Sequence, residues 1–273
     1  MTSRFVAVFI NLDSDHAKRA WMASQLEKTG APWLRQEGVR GRAIPEILRD
    51  NFELDIPETC ELLEGEIGCF ASHLLVATRV AANEFNGPAL VLEDDTSLPA
   101  DIGPLLDAAI AALPADWDIV RLSDLMKRVA VSLASLPGGR KLVRYSKIPN
   151  GAGAYLLSVS GAKKFAAMRA RSLAVDQELV HAWNLDLNTF GIWPRPIASA
   201  PFPSSIDAMQ RGRLKRVIKW GAGRAEFALA PRRLAFNIGK LGFAAWTRCA
   251  LVNARNHIVP RLAPGVKKIE VID

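Results

Sequence analysis

Apolar residues fall into two rhythms along the first two-thirds of the chain, short unbroken runs and stripes at helical spacing, and the two alternate. Phe5 to Ile10 is a six-residue run rich in β-branched and aromatic side chains, the pattern of a strand buried on both faces of a parallel sheet. Ala17, Trp21, Met22 and Leu26 then recur at helical spacing, with Asp13 or Ser14 placed to cap that helix and Gly30 to stop it. A second helix is predicted from Gly65 to about Asn83 on the stripe Ile67, Phe70, Ala71, Leu74, Leu75 and Thr78. Asn86-Gly87-Pro88 ends it, and Ala89 to Leu92 reads as another buried strand that leaves into Glu93, Asp94 and Asp95.

Trp117 to Leu122, Lys141 to Arg144 and Ala154 to Ser158 read as further strands, and Gly161 to Arg171 and Gln177 to Asn184 as helices. Leu125 to Gly139 reads as a surface loop closing on a Pro137-Gly138-Gly139 turn. Strands alternating with helices predict an α/β domain with a mostly parallel sheet and right-handed crossovers. No internal repeat interrupts it. Beyond Trp193 the chain is rich in Pro and Ser through Ser205, an extended wrap or linker, which divides it into a domain at 1–205 and an extension at 206–273.

Charge sharpens that division. Residues 210–273 carry 14 basic and 3 acidic side chains, net +11, whereas residues 1–209 carry 21 basic and 25 acidic, net −4. With 273 residues the chain is long enough for a sizeable core, and its ordinary hydrophobic and charged content excludes wholesale disorder or a polytopic membrane protein. Cys60, Cys69 and Cys249 are an odd, widely spaced set with no C-x-x-C pair to suggest a disulfide framework or a zinc site, and suit a reducing compartment. The N-terminal apolar run is too short for a signal peptide, and no tail stretch approaches the ~20 apolar residues of a membrane span.

The sharpest local feature is the acidic run at the end of the Ala89 strand, because open α/β sheets bind ligands outside the carboxyl ends of their strands. With a period of two, Glu93 and Asp95 project to one side and Asp94 to the other. Glu93 and Asp95 are then a pair of hard oxygen ligands for Mg²⁺ or Mn²⁺, ions that complete their shells with water and substrate phosphates and so suggest a nucleotide diphosphate. The competing reading is that Asp95, Thr96 or Ser97 caps a helix beginning near Asp101. Gly151-Ala152-Gly153 precedes a strand instead of opening a helix, so there is no dinucleotide fingerprint. Nor is there a P-loop, H-E-x-x-H or G-x-S-x-G.

Five blocks occur in a specific order: Val8-Phe9-Ile10-Asn11-Leu12-Asp13 with Arg19 following; Gly65-Glu66-Ile67-Gly68-Cys69-Phe70-Ala71-Ser72-His73; Val91-Leu92-Glu93-Asp94-Asp95; Trp117-Asp118-Ile119-Val120; and Ala154-Tyr155-Leu156-Leu157-Ser158 before Gly161-Ala162. In that order and spacing they closely resemble glycosyltransferase family 25 over roughly residues 5 to 200. The resemblance implies a GT-A-like, Rossmann-type α/β fold and transfer of galactose or glucose from a UDP-sugar to a lipopolysaccharide- or lipooligosaccharide-type acceptor, with an inverting outcome. It assigns Glu93, Asp94 and Asp95 to the metal and diphosphate motif, with Glu93 and Asp95 as ligands of Mn²⁺ or Mg²⁺. It turns Asn11 and Asp13 toward the nucleotide, with capping as the rival for Asp13, and Arg19 toward the diphosphate, with a solvated helix face as its rival. His73 then faces a substrate hydroxyl, its rival being a core partner. Asp176 matches an acid the family carries after its Ala-Tyr-Leu strand, and base, ligand and helix cap are all open to it. Glu178 and Asp124 are weaker candidates. The chain departs from the family at Gly38-Val39-Arg40-Gly41, where Ala-Val-Asp-Gly is common, and at Ser14-Asp15-His16, usually more Arg-rich.

In the extension, Leu214, Val217, Ile218, Gly221 and Ala225 recur at helical spacing among Arg213, Arg216 and Arg224, a basic amphipathic helix. Leu234, Ile238, Leu241, Ala245, Cys249 and Val252 continue a second such pattern. The expectation is a cytoplasmic protein, peripheral on an anionic inner-membrane surface where a lipid-linked acceptor is concentrated; the alternative is that these helices pack on the domain with a basic rim. No nucleic-acid module accompanies the charge, so no nucleic-acid partner is expected. A catalytically silent component that binds sugar nucleotide or membrane is the alternative to an enzyme.

Overall fold

The computed structural model describes residues 3–52, 62–124, 126, 128–202, 231–262 and 271–273. In chain order the elements are β1 (Val6–Asn11), α1 (His16–Leu26), β2 (Trp33–Glu37), α2 (Glu64–Ala81), β3 (Ala89–Glu93), β4 (Thr96–Ser97), α3 (Ile102–Ala112) and β5 (Ile119–Arg121). They continue with β6 (Ala130–Leu136), β7 (Arg140–Tyr145), β8 (Ala154–Leu157), α4 (Val159–Ala166), α5 (Val175–Val180), β9 (Thr189–Trp193) and β10 (Ala198–Ser199). The last are α6 (231–241), α7 (Phe243–Leu262) and β11 (Val271–Ile272).

Nine of these strands form one sheet in the order β11-β6-β7-β9-β5-β8-β3-β1-β2. Seven share a direction; β8 runs antiparallel to both neighbours, β3 and β5, and β7 does so to β6 and β9. The sheet is therefore mostly parallel, as the alternation predicts. The pleat sorts its side chains onto two apolar layers. Val8, Val91, Ile119 and Tyr155 face α2, α4 and α5, where they meet Phe70, Phe165 and Leu179. Ala7, Phe9, Leu90, Leu92 and Leu156 face α1 and α3, where they meet Met22, Leu26 and Leu105.

The structure corrects several sequence expectations. Residues 125–139 are not simply a loop, because β6 occupies Ala130–Leu136 and forms a hairpin with β7. Its turn is the expected Pro137-Gly138-Gly139, with both glycines at φ near +70°, where a side chain is disfavoured. β2 and β9 are additional strands. Neither Asp13 nor Ser14 caps α1: the N-cap is Asp15, without a side-chain cap bond. α4 ends at Ala166 rather than Arg171. The acidic run caps no helix either, since α3 starts at Ile102 with Asp101 as N-cap and Thr96–Ser97 instead pairs with β10.

The described part of the extension is docked on the domain. β11 adds in parallel to β6, the Asn253 side chain accepts from the Val129 N–H and donates to Ser146 Oγ, and Lys240 pairs with Asp186. The second amphipathic stripe is two helices, broken at Gly242 with φ of +79°. Cys249 faces inward, whereas Phe243 and Leu251 are exposed. The expected helix at Arg213–Ala225 and the boundary near residue 205 lie outside the described residues. Among the described residues no helix is long and apolar enough to cross a membrane.

Candidate active site

The pleat that sorts the core also sorts the charges at the C-terminal ends of β1 and β3. Leu90, Leu92 and Asp94 follow one another on the α1 face, and Val91 and Glu93 on the α2 face. Asp94 therefore meets α1: its Oδ1 accepts from Lys18 Nζ at 3.1 Å and its Oδ2 from Asn11 Nδ2 at 2.7 Å. Asn11, at the end of β1, is 1% exposed and fully engaged. Its amide also donates to the Asp15 carbonyl and accepts from Arg35 Nε at 3.1 Å. Arg35 in turn reaches the exposed Asp13 at 3.0 Å, so Asp13 is tied to β2 and not to α1. Burial alone would lower the Lys18 amine, but Asp94, Asp95 and Asp15 more than offset it and hold it above its ordinary value. Arg19 is exposed, and its side chain joins neither this network nor the next among the described residues.

On the α2 face, His73 is 1% exposed, with Nδ1 2.8 Å from the Tyr155 hydroxyl and Nε2 3.3 Å from Glu93 Oε1. Its ring stacks on Tyr155 at a centroid distance of 5.7 Å. Burial pushes the Tyr155 phenol far above its usual range, so it is a neutral hydroxyl. Because a carboxylate only accepts, Nε2 donates to Glu93, and the Tyr155 hydroxyl, able to donate or accept, pairs with Nδ1. His73 is a core histidine that orients Glu93, and both ring nitrogens are occupied. Among the described residues Glu93 Oε2 has no hydrogen-bond partner, and a Cβ on Gly153 would stand 4.0 Å from it, at ordinary van der Waals contact. Cys69, one helical turn before His73, completes this side. Burial and then Glu93, Asp176, Asp95 and Glu66 raise its thiol well above the usual value.

Asp95 follows directly. Burial and then Glu93 raise its carboxyl, Lys18 opposes them, and Asp94 adds to the rise. Asp176 lies in the first turn of α5, whose N-cap is Ala174, and is no cap. Its Oδ2 accepts from Asn150 at 2.8 Å, in the loop that enters β8. The weaker candidates are committed elsewhere: Glu178 is buried against Arg171 at 3.1 Å, and Asp124 against Arg121 at 2.6 Å.

The structure thus brings Asn11, Asp13 and Asp94 together on one face and Glu93 and His73 on the other, with Asp95 and Asp176 close by. Lys18, Arg35 and Tyr155 are the residues that sequence reasoning missed. For Tyr155 there was a signal, a lone phenol in an otherwise aliphatic strand. A carboxylate oxygen without a hydrogen-bond partner among the described residues, beside a second carboxylate held above its usual range, is a donor set that suits Mg²⁺ or Mn²⁺. Glu66, by contrast, reaches back to the Leu63 N–H and closes the start of α2.

Among solved structures, a Bacillus anthracis protein described as a glucose-1-phosphate thymidylyltransferase, in complex with sucrose, is 14% identical and covers 76% of each chain. Its TM-score of 0.31 is too low to speak for fold or activity. No curated protein matches the chain. The family model of the lipopolysaccharide-biosynthesis glycosyltransferases spans residues 3–179, across β1 to α5 and every residue of the two networks, and the chain belongs to glycosyltransferase family 25.

Proposed function

We propose that this glycosyltransferase moves a hexose, galactose or glucose, from a UDP-sugar to a lipopolysaccharide- or lipooligosaccharide-type acceptor, with inversion. The observation that carries the reading is the α2 face of the β3 end, where Glu93 Oε2, beside Asp95, has no hydrogen-bond partner among the described residues while Asp94 is already neutralised. Glu93 and Asp95 would hold Mn²⁺ or Mg²⁺, which when bound offsets the charge of the departing diphosphate. His73 and Tyr155 fix the Glu93 rotamer as positioning residues. Asn11, Asp13 and Arg35 make the nucleotide edge, and the exposed Arg19 is available to the diphosphate.

Asp176 is the general base. As the acceptor oxygen bonds to the anomeric carbon and the carbon–oxygen bond to UDP breaks, the acceptor proton passes to Asp176, which the Asn150 amide orients. A panel of nucleotide sugars, with and without Mn²⁺ and with lipooligosaccharide acceptors, tests the assignment. Metal-dependent UDP release with a hexose donor is the expected result, and none with any donor would leave a silent binding component.

The same protein works at the cytoplasmic face of an anionic inner membrane, where its acceptor is lipid-linked. Support comes from the +11 charge of residues 210–273 and from exposed Phe243 and Leu251 beside exposed Arg248 and Arg255 on α7. Because the other side of α7 is docked, the test is the Phe243→Asp/Leu251→Asp variant rather than a truncation. It should pellet less with anionic vesicles than the parent, and equal pelleting would remove the membrane assignment.

A further inference from the structure

Cys69 and His73 stand four residues apart on α2, one above the other, and both face the end of β3. Cys69 Sγ, a His73 ring nitrogen and a Glu93 carboxylate oxygen all lie within 4.8 Å of one another. The cysteine is partly accessible, His73 is buried and Glu93 is about one-third exposed, so solvent reaches the cluster from one side. Neither the metal-ligand pair Glu93 and Asp95 nor the base Asp176 requires a thiol here.

We infer that Cys69, His73 and Glu93 form a site for a thiophilic divalent cation, with zinc as the fitting ion. A tetrahedral zinc with sulfur, nitrogen and oxygen ligands has donor–donor edges of about 3.3–3.5 Å. The His73 Nε2 to Glu93 Oε1 edge is already 3.3 Å, and thiol edges of at most 4.8 Å close to a tetrahedral edge with a movement of at most about 1.5 Å. Two protein donors on consecutive turns of one helix and a third from a rigid strand end fix the tripod. The fourth position opens to water on the exposed side.

The second layer fits as well. A zinc-bound histidine donates its other ring N–H to a fixed acceptor, and Tyr155 Oη stands 2.8 Å from Nδ1. With zinc on Nε2, the ring proton stands on Nδ1 and bonds to the Tyr155 oxygen. The thiol proton leaves to solvent as the zinc–sulfur bond forms. Hard Mg²⁺ or Mn²⁺ has little use for the sulfur, whereas zinc does. Occupancy takes Glu93 away from the donor cation. That consequence rests on the reading proposed above, but the site itself does not.

Cobalt(II) is the spectroscopic stand-in for zinc. Titrated into the reduced full chain, it should give one equivalent of thiolate-to-cobalt charge-transfer absorption with tetrahedral visible bands, which zinc then bleaches. The Cys60→Ser/Cys249→Ser variant, in which Cys69 is the remaining cysteine, keeps the spectrum, and Cys69→Ser loses the charge-transfer band. Glu93→Gln and Tyr155→Phe keep the thiolate but weaken binding by about 10-fold or more. Circular dichroism accompanies each variant, and if Cys69→Ser does not fold, Cys69→Ala and Glu93→Gln carry the comparison. No thiolate band in the parent, a band that survives Cys69→Ser, or zinc affinity indifferent to both Cys69 and Glu93 would overturn the site. Any of these results leaves Mn²⁺-dependent transfer untouched and so tells the two readings apart.

Discussion

Glu93 and Asp94 are consecutive acids at the end of one strand, and their surroundings could hardly differ more. On the α1 face, Asp94 has a buried lysine and an asparagine amide on its two oxygens, and Asn11 has every polar atom engaged. On the α2 face, Glu93 has one oxygen held by the buried His73 ring and the other without a hydrogen-bond partner among the described residues. The first arrangement is a structural lock joining β1, β3, α1 and β2. The second holds a carboxylate in place while leaving it able to take a new partner. A single step along the pleat thus separates an acid that stabilises from an acid that can bind, though both sit in the same Glu-Asp-Asp run.

The largest test of that division is Glu93→Gln. It should abolish transfer while leaving the melting temperature near that of the parent, and Asp95→Asn should do the same, because each removes a hard ligand while the buried Lys18–Asp94 pair stays intact. Substantial activity in both variants would place the cation elsewhere. Next, Asp176→Asn should lower kcat by about 10²–10⁴-fold while UDP affinity changes little, as a base on the acceptor side requires. If UDP and Mn²⁺ affinity fall with it, Asp176 is a ligand.

Asp94→Asn should act in the opposite sense to Glu93→Gln. It leaves the Lys18 ammonium buried without its main counter-charge, so the loss falls on stability, by roughly 2–3 kcal/mol in denaturant unfolding. A variant as stable as the parent but deficient in metal binding would erase the distinction between the two faces. The smallest effect concerns Asp95. Its carboxyl is raised in the folded protein, so its contribution to stability is fully present below the unfolded value of 3.8 and is lost as pH rises through the folded one. Asp95→Asn should therefore make the metal-free protein slightly more stable at neutral pH, with the gain disappearing toward pH 3. A gain that persists unchanged in acid would point to packing instead.

Both apolar rhythms along the chain lead to real elements. β1, α1, α2 and β3 were legible because each has one dominant period and a turn residue at its end, such as Gly30 at φ +69°. β2 was not, since Trp-Leu-Arg-Gln-Glu is a partly exposed edge strand with no clean alternation. β6 was hidden by its small residues, Ala130, Ser132, Ala134 and Ser135, and β9 by Gly191 at its centre. That glycine exists because the Tyr145 ring packs where its side chain would be. Ordered motifs singled out Glu93 and His73, which the structure brings into contact, and Asp176, which lies in the first turn of α5. Lys18 was not, because on a helix beside Arg19 it reads as a solvated charge. Only the fold shows that it points inward to an acid 76 residues away.

β8 runs against its neighbours, and this has a consequence for how such an enzyme can diversify. In a uniformly parallel sheet, every segment bordering the ligand crevice is the exit of a strand, and lengthening it changes where the following helix begins. Here the entry to an inverted strand, residues 146–153, borders the crevice instead: Gly153 adjoins Glu93 and Asn150 holds Asp176. The chain reaches it from the β6–β7 hairpin, with no helix between. Insertions or exchanges in that short segment can reshape the surroundings of Glu93 and Asp176 while the register of Ala154–Leu157 between β3 and β5 stays as it is. On the function proposed above, acceptor choice could then drift without a corresponding change in the donor half.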